Sequence, residues 1–593
     1  MYVKRHAVRR GSKRYVYLRL VEAYRDEAGQ VRQRVIQTLG REDELKASGQ
    51  LDQLAASFAR LDPPPTGTRR DIGALLLVRH YLQRLGLVEI VDQAAPMRGR
   101  AHLTHGEVIA ALVANRLSAP SPLYDVAGWA SSAAMAELFA TPAGLLNDDR
   151  LGRALEALAP VAEPVRAALC LAAIERFDGV DASRLHLDVT TVRFAGAYEH
   201  SALVAKGWGA DRRVARQVRA LQAATPSGVP LYFRPHAGAI AELNVLGDTL
   251  TQLQQLLPPG LVVVADSALG HVGNLCAAHR AGVGFVVPLR ADTGWAEQFV
   301  RDVGHLDRLH TLDYTSQREQ RLSPDKRTRW RGLLRAFPVT DPVTQAPHDL
   351  RVAYIWSSEQ AASVADARER ALTKAEDTLA RIRRGLGGRY YKTQKQVEAK
   401  VATTVRGSTA ALLTVHTGTR HGKPTLSWQR NADALAAAAR FDGLYALATN
   451  LPDPLTATDV LRTYKDQWIV ERRHRDLKQT LRVRPVFLHN DDRIEALVAV
   501  VGIALLVFGL LEADVRRRLP PHSSLPGLLP EDRAAKPTGR NILSAFQGLG
   551  LTYSPHGLIL DRLSPTQRRI LAILDISLPW PEQQIPATVG LNP

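Results

Sequence analysis

The chain has 593 residues, with 77 Lys and Arg against 59 Asp and Glu, and a sequence pI of 10.0. That length exceeds a single core and implies about three to five structural units. The excess of +18 favours a polyanionic partner, nucleic acid above all, and the ordinary apolar content excludes bulk disorder.

The two cysteines, Cys170 and Cys276, stand far apart in apolar settings. They exclude a disulfide framework and fit a reducing cytoplasm. Lys4, Arg5, Arg9, Arg10, Lys13 and Arg14 crowd the start, but no apolar stretch follows, so this is not a signal peptide. The most apolar run, Ala496 to Leu511, is interrupted by Gly502 and Gly509. It falls short of the ~18–20 residues that span a bilayer, so it is expected to be a buried core helix, with no membrane partner.

In chain order, residues 1–65 begin with two alternating runs around a turn at Asp26–Gly29, which predict a basic β-hairpin, and end in the Pro63–Gly67 linker. Residues 66–178 turn to helical periodicity and predict a helical region, either a DNA-binding unit of helix-turn-helix kind or a scaffold. Residues 179–292 carry three strands, a helix, an unbroken β-branched strand at Leu261–Ala265, a further helix and a last strand. This grammar predicts a mixed α/β sheet. Residues 293–440 shift to charged strands and a long polar helical stretch broken at Gly385–Gly388, and read as an insertion domain. Residues 441–515 return to the core, and a Pro-rich link leads to a C-terminal helical region, 516–593.

The segment Tyr464 to Lys478 is the most informative. Read as one helix, it places Tyr464, Gln467, Glu471 and Lys478 within an arc of roughly 60°. Arg472, Arg473 and Arg475 flank that face. An aromatic hydroxyl, an amide, a carboxylate and an ammonium make a poor core face and a good one for a metal and a phosphate. Upstream, Asp188 interrupts one strand-like run and Asp266 ends another. If those strands are neighbours, the two carboxylates converge at one sheet edge, where a helix-borne glutamate completes an all-oxygen site. Such sites suit Mg²⁺ or Mn²⁺, and two ions suit phosphoryl transfer.

These features resemble the DDE transposases of bacterial insertion sequences, which have a ribonuclease H-like catalytic core. The branch that it resembles, insertion-sequence family four and relatives, carries Tyr-(2)-Arg-(3)-Glu-(6)-Lys around the catalytic glutamate. Here the motif stands as Tyr464, Gln467, Glu471 and Lys478, with glutamine in place of arginine. Asp188-Val-Thr-Thr, Val264-Ala-Asp266-Ser, Phe441 to Asn450 and Lys536-Pro-Thr-Gly-Arg-Asn-Ile-Leu add to the likeness. The resemblance implies a ribonuclease H-like sheet, interrupted by a large insertion across the roughly 200 residues between Asp266 and Glu471, far more than one loop. It implies Asp188, Asp266 and Glu471 as catalytic residues and metal ligands, with Mg²⁺ or Mn²⁺, expected as two ions. It implies metal-dependent cutting at terminal inverted repeats and joining of 3′-hydroxyl ends to target DNA, by a homodimer in the nucleoid-associated cytoplasm. Tyr464, Gln467, Lys478, Arg472 and Arg475 are then expected to contact DNA. Trp330, inside Lys326-Arg-Thr-Arg-Trp-Arg, is expected either to stack on an unpaired base or to make an ordinary amphipathic contact.

Other residues compete for these roles. Glu242 reads as a first-turn helix carboxylate and Asp211 as a rival acid. His186 and His474 lie near the expected site, where a lone histidine is more often structural.

Overall fold

A computed structural model describes residues 2–10, 13–25, 30–47, 66–97, 102–208, 213–240, 242–257, 259–316, 318–465, 468–481, 488, 490–520 and 523–583. Strands β1 (Tyr2–Arg10), β2 (Lys13–Arg25) and β3 (Val31–Arg41) form an antiparallel three-stranded sheet. The expected hairpin is the β2–β3 pair, and its turn at 26–29 lies outside the described residues. Strand β1 is an addition that the alternation did not reveal, because its basic residues read as a charged tail.

Strand β4 (Arg69–Asp71) precedes a set of helices running from Leu75–Leu85 to Ala162–Arg176. The helix His105–Ser118 opens with a reciprocal cap in which Thr104 Oγ1 accepts the Glu107 amide and the Glu107 carboxylate accepts the Thr104 amide. These helices pack around one apolar helix, Asp491–Arg517. Asn490 caps that helix by accepting the Arg493 amide at 3.1 Å, and almost all of its apolar stretch is buried within the protein. The glycines that interrupt the run are contact points. A Cβ on Gly502 would stand 2.5 Å from Phe233, and one on Gly509 would stand 2.4 Å from Pro230. Their absence lets the helix lie directly on a strand of the main sheet.

That sheet has ten strands. In chain order they are β5 (Arg184–Arg193), β6 (Ala205–Trp208), β7 (Val214–Ala224), β8 (Pro230–Ala237), β9 (Val262–Val264), β10 (Gly284–Pro288), β11 (His310–Thr311), β12 (Trp330–Thr340), β13 (Pro347–Ser357) and, after the hairpin of β14 (Leu413–Arg420) and β15 (Lys423–Arg430), β16 (Leu444–Thr449). Their spatial order is β11-β12-β13-β16-β10-β9-β5-β7-β6, with β8 also paired to β7. Strands β8, β7 and β5 are antiparallel, and β5, β9 and β10 are parallel. This mixed sheet is consistent with a ribonuclease H-like core.

Two expectations change here. Strands β11 to β13, assigned to the insertion, belong to the main sheet, because β13 pairs with β16 over six positions from Arg351↔Thr449 to Trp356↔Leu444. The remainder of that segment, the helices Ser358–Arg384 and Gln394–Thr404 with β14 and β15, closes on a small apolar core of its own. The C-terminal region, expected to be helical, also contains four short strands: β17 (Leu525–Leu529), β18 (Arg533–Ala535), β19 (Gly550–Ser554) and β20 (Gly557–Leu560). Strand β19 pairs with β4, joining the start of the helical region to the C-terminal region in one small sheet.

Candidate active site

The parallel register of β5 and β9 runs from Arg184↔Val262 to His186↔Val264. Two residues past the last pair, Asp188 follows within β5, and Asp266 lies two residues past the end of β9, so the two acids leave neighbouring strands in the same direction. Strand β9 is a Val-Val-Val stretch buried among neighbours, and it stops where Asp266 Oδ1 accepts the Ala268 amide at 2.9 Å. An aspartate bonding two residues ahead is a turn former, which explains why the acid sits at the strand's end. Asp188 Oδ1 accepts the Val189 amide at 2.8 Å, and its Oδ2 lies 3.2 Å from His474 Nδ1. His186, two positions earlier on the same face, is fully buried.

The third acid arrives on a segment that is not α-helical to its end as expected. Thr456 and Asp459 cap each other at the start of the helix Ala457–Lys465. Gln467 lies outside the described residues, and the helical stretch Trp468–Arg475 carries Glu471 exposed on its surface. A π-helical turn, Asp476–Thr480, follows, in which the Leu481 amide reaches back to the Asp476 carbonyl at 3.0 Å. The wider turn rotates Lys478 away from the position that a continuous α-helix gives it. The turn coincides with a tertiary demand, since Leu477 and Leu481 are both fully buried.

Electrostatics tie the acids together. Burial raises the Tyr464 pKa, and the Asp266 and Glu471 carboxylates raise it further. The phenol therefore stays protonated, while His474, one turn beyond Glu471, sits against Asp188. All three carboxylates offer oxygen donors, and Asp266 and Glu471 are exposed to solvent. That donor set fits a hard divalent cation. A different cluster, Cys276, Asp341 and His348, brings its ligand atoms within 4.8 Å of one another. There, however, Asp341 is ion-paired with Arg280 and accepts the amides of Val343 and Thr344. The arginine holds the place that a cation needs.

A buried network holds the Glu471 helix. Arg473 has no exposed side chain and donates to the Gly228 carbonyl at 2.6 Å, to Glu512 at 3.2 Å and to Asp476 at 3.1 Å. Gly228 has φ +84°, and a Cβ there would stand 3.0 Å from the Arg473 guanidinium, so the turn between β7 and β8 needs glycine. Burial pushes the Glu512 carboxyl up, but Arg473, Arg472, Arg516 and the Gly539 amide outweigh it and hold the group below the usual glutamate range. The Gly539 amide donates to Glu512 at 3.0 Å and Arg540 donates to Thr480 at 2.9 Å. The Lys536-to-Leu543 motif thus braces the π-helical turn and the buried carboxylate together.

Two expected DNA contacts change meaning. Arg472 is bonded to Glu512, so its charge is spent inside this network, whereas Arg475 is exposed. Trp330 is a core residue, 5% exposed, edge-on to Tyr314 at 5.5 Å and covered by Lys465 Nζ at 4.5 Å from its ring. An indole buried in this way is not presented to a base. The helix that begins at Glu242 fits its first-turn reading, although that side chain and Asp211 lie outside the described residues. Glu512 carried no expectation from the sequence, and Arg473 was expected only to flank the motif face. Their signal was a carboxylate inside an apolar helix, which requires a buried partner.

The transposase DDE domain family matches residues 181–507. The N-terminal domain of IS1634 family transposases matches residues 3–65, and a domain of unknown function matches residues 68–163. No curated protein matches the chain.

Proposed function

Because the chain belongs to the DDE transposases of insertion sequences, enzymes that cut and transfer DNA with divalent metal, we propose that Asp188, Asp266 and Glu471 are its catalytic carboxylates and metal ligands. The reaction is cleavage at the terminal inverted repeats of its element, then transfer of the 3′-hydroxyl ends to target DNA. The observation that supports this reading is that Asp188 and Asp266 each follow, by two residues, the last register pair of the parallel neighbours β5 and β9, with the Glu471 helix packed across β5 and against β7. Mg²⁺ or Mn²⁺, as two ions, supplies activation of the attacking oxygen and stabilisation of the leaving oxygen.

The chain's own groups do the rest. His474 holds Asp188 in one orientation through its Oδ2, while the Val189 amide fixes Oδ1. Tyr464, kept protonated, donates to a phosphate oxygen beside the acids. Lys478 and Arg475 add positive charge along the strand that is cut, and the network under Arg473 keeps Glu471 at the sheet. A homodimer holding two element ends in the cytoplasm completes the reading, since both ends must be joined to one target.

The test uses duplex DNA carrying the terminal repeat, taken from the DNA that flanks the gene. With Mg²⁺ the protein is expected to release 3′-hydroxyl ends and to join them to a second duplex. Asp188→Ala, Asp266→Ala and Glu471→Ala should each lose both products and keep DNA binding. Near wild-type cleavage by any one of them removes that residue from the site.

A further inference from the structure

Among the described residues Trp208 is the one exposed tryptophan, with 61% of its surface open, and its cross-strand partner Val214 is equally open. They close the described part of the β6–β7 ribbon. Two residues in, Lys206 stands directly opposite Arg216. Opposed residues share a face, and so do residues two apart, so Lys206, Trp208, Val214 and Arg216 make one surface. Strand β7 also pairs with the strand of Asp188, where Asp188 lies opposite Gln222. Alternation along β7 from Gln222 to Val214 therefore places this surface on the same face of the sheet as Asp188.

The ribbon extends past the carboxyl end of β5, on the side where Asp188 and Asp266 stand. At about 3.4 Å per residue, Val214 is roughly 27 Å along β7 from the level of Asp188. Its other face is fixed. Gln217 is fully buried and donates to the Gly238 carbonyl at 3.1 Å, and a Cβ on Gly207 would stand 2.1 Å from that same oxygen. The ribbon is thus a braced arm with one packed face and one open face. On the open face two like charges oppose each other, which weakens a ribbon unless an anion lies between them. An exposed indole beyond paired cations matches what a nucleic acid offers: phosphates for the cations, and a base or sugar face for the ring.

We propose that the β6–β7 arm is a DNA clamp for the element end, with Lys206 and Arg216 on the phosphate backbone and Trp208 packed against a base or sugar within about eight base pairs of the bond that is cut. The inference rests on the transposition reading and takes the base-contacting role from Trp330. Its occupant is duplex or partly opened DNA at the terminal repeat. The positive charge and the shared face with Asp188 favour this over a protein partner.

The test is binding by the full chain to a terminal-repeat duplex across a salt series. Lys206→Ala/Arg216→Ala is expected to lower the slope of log affinity against log salt by about 2, because each lost phosphate contact removes roughly 0.9. Trp208→Ala is expected to weaken binding about 5- to 100-fold, with Trp208→Phe recovering most of it. Unchanged affinity and slope in folded variants, judged by melting temperature and circular dichroism, would overturn the clamp. Loss of self-association with unchanged DNA affinity would overturn it as well, by making the arm a protein contact. Absence of cutting by the wild type would count against the transposition reading alone, because the salt series reads binding without chemistry.

Discussion

His474 Nδ1 lies 3.2 Å from Asp188 Oδ2, and His474 is three residues beyond Glu471 on the same helix. One contact thus sets the distance between the first and third acids, because the helix cannot slide along β5 without breaking it. His474→Ala is expected to cut the cleavage rate by about 10- to 100-fold and to raise the Mg²⁺ needed for half-activity, as loss of an orienting partner does at metal sites. His474→Asn, whose amide can reach the same oxygen, should recover much of the loss. Equal Mg²⁺ dependence in wild type and His474→Ala would show the contact to be incidental.

Glu512 answers to three arginines inside the protein. Removing its charge leaves buried Arg473 with Asp476 as its one remaining acidic partner among the described residues, a loss of up to about 3–5 kcal/mol for such pairs. Urea unfolding of Glu512→Gln measures it. The carboxyl's folded pKa is depressed by the arginines, so its stabilisation is present above the unfolded value, about 4.3, and is lost as pH falls through the folded value. Glu512→Gln should therefore show a shallower fall in stability across that acid range than the wild type. Parallel acid limbs would contradict the assignment.

Trp330 is expected to matter for folding. Trp330→Ala should destabilise by about 3–5 kcal/mol and alter DNA affinity only through loss of folded protein. A variant that melts like the wild type but binds DNA weakly would return the residue to the DNA interface.

Metal identity follows from the oxygen donors. Mg²⁺ or Mn²⁺ should support cleavage, and Ca²⁺ should support complex formation with little product, since it favours longer and looser coordination. Full cleavage in excess chelator would contradict the metal mechanism.

Gly509 lies against Pro230 and the backbone of Gly228 and Val229. Gly509→Val should cost about 1–3 kcal/mol through overpacking, read as a lower melting temperature. The turn at Gly228 also holds Arg473, so cleavage should fall more than folded content alone explains. Activity that tracks folded fraction would show that the strain does not travel.

Local pattern made much of this fold legible. The strands at Arg184–Arg193, Val214–Ala224, Pro230–Ala237, Val262–Val264 and Gly284–Pro288 declared themselves as apolar runs between turns, and Asp188 and Asp266 stood out as acids in strand-like surroundings. Elsewhere tertiary context overrode the pattern. Trp330 hides among basic neighbours, yet β12 alternates it inward with Arg329 and Arg331 on either side. The helical periodicity from Tyr464 to Lys478 gave no warning of a π turn, because Leu477 and Leu481 fit an α-helix as well. Arg472 looked free in sequence, since its partner Glu512 is 40 residues away. The C-terminal strands are only three to five residues long, too short for alternation to declare itself.

Strand β4 has consequences for synthesis. Its partner β19 and the carbonyl of Gly548, which accepts from Arg69, lie 479 residues downstream for that bond. At ordinary elongation rates of about 5–20 residues per second, the edge at Arg69–Asp71 waits roughly 25–100 s before its partner emerges. The apolar helix Asp491–Arg517, around which the early helices pack, is also late. The N-terminal half must therefore persist on the ribosome with its main hydrophobic anchor missing. Molecules cut short before this helix would lack a centre to pack around, so productive folding selects for completed chains.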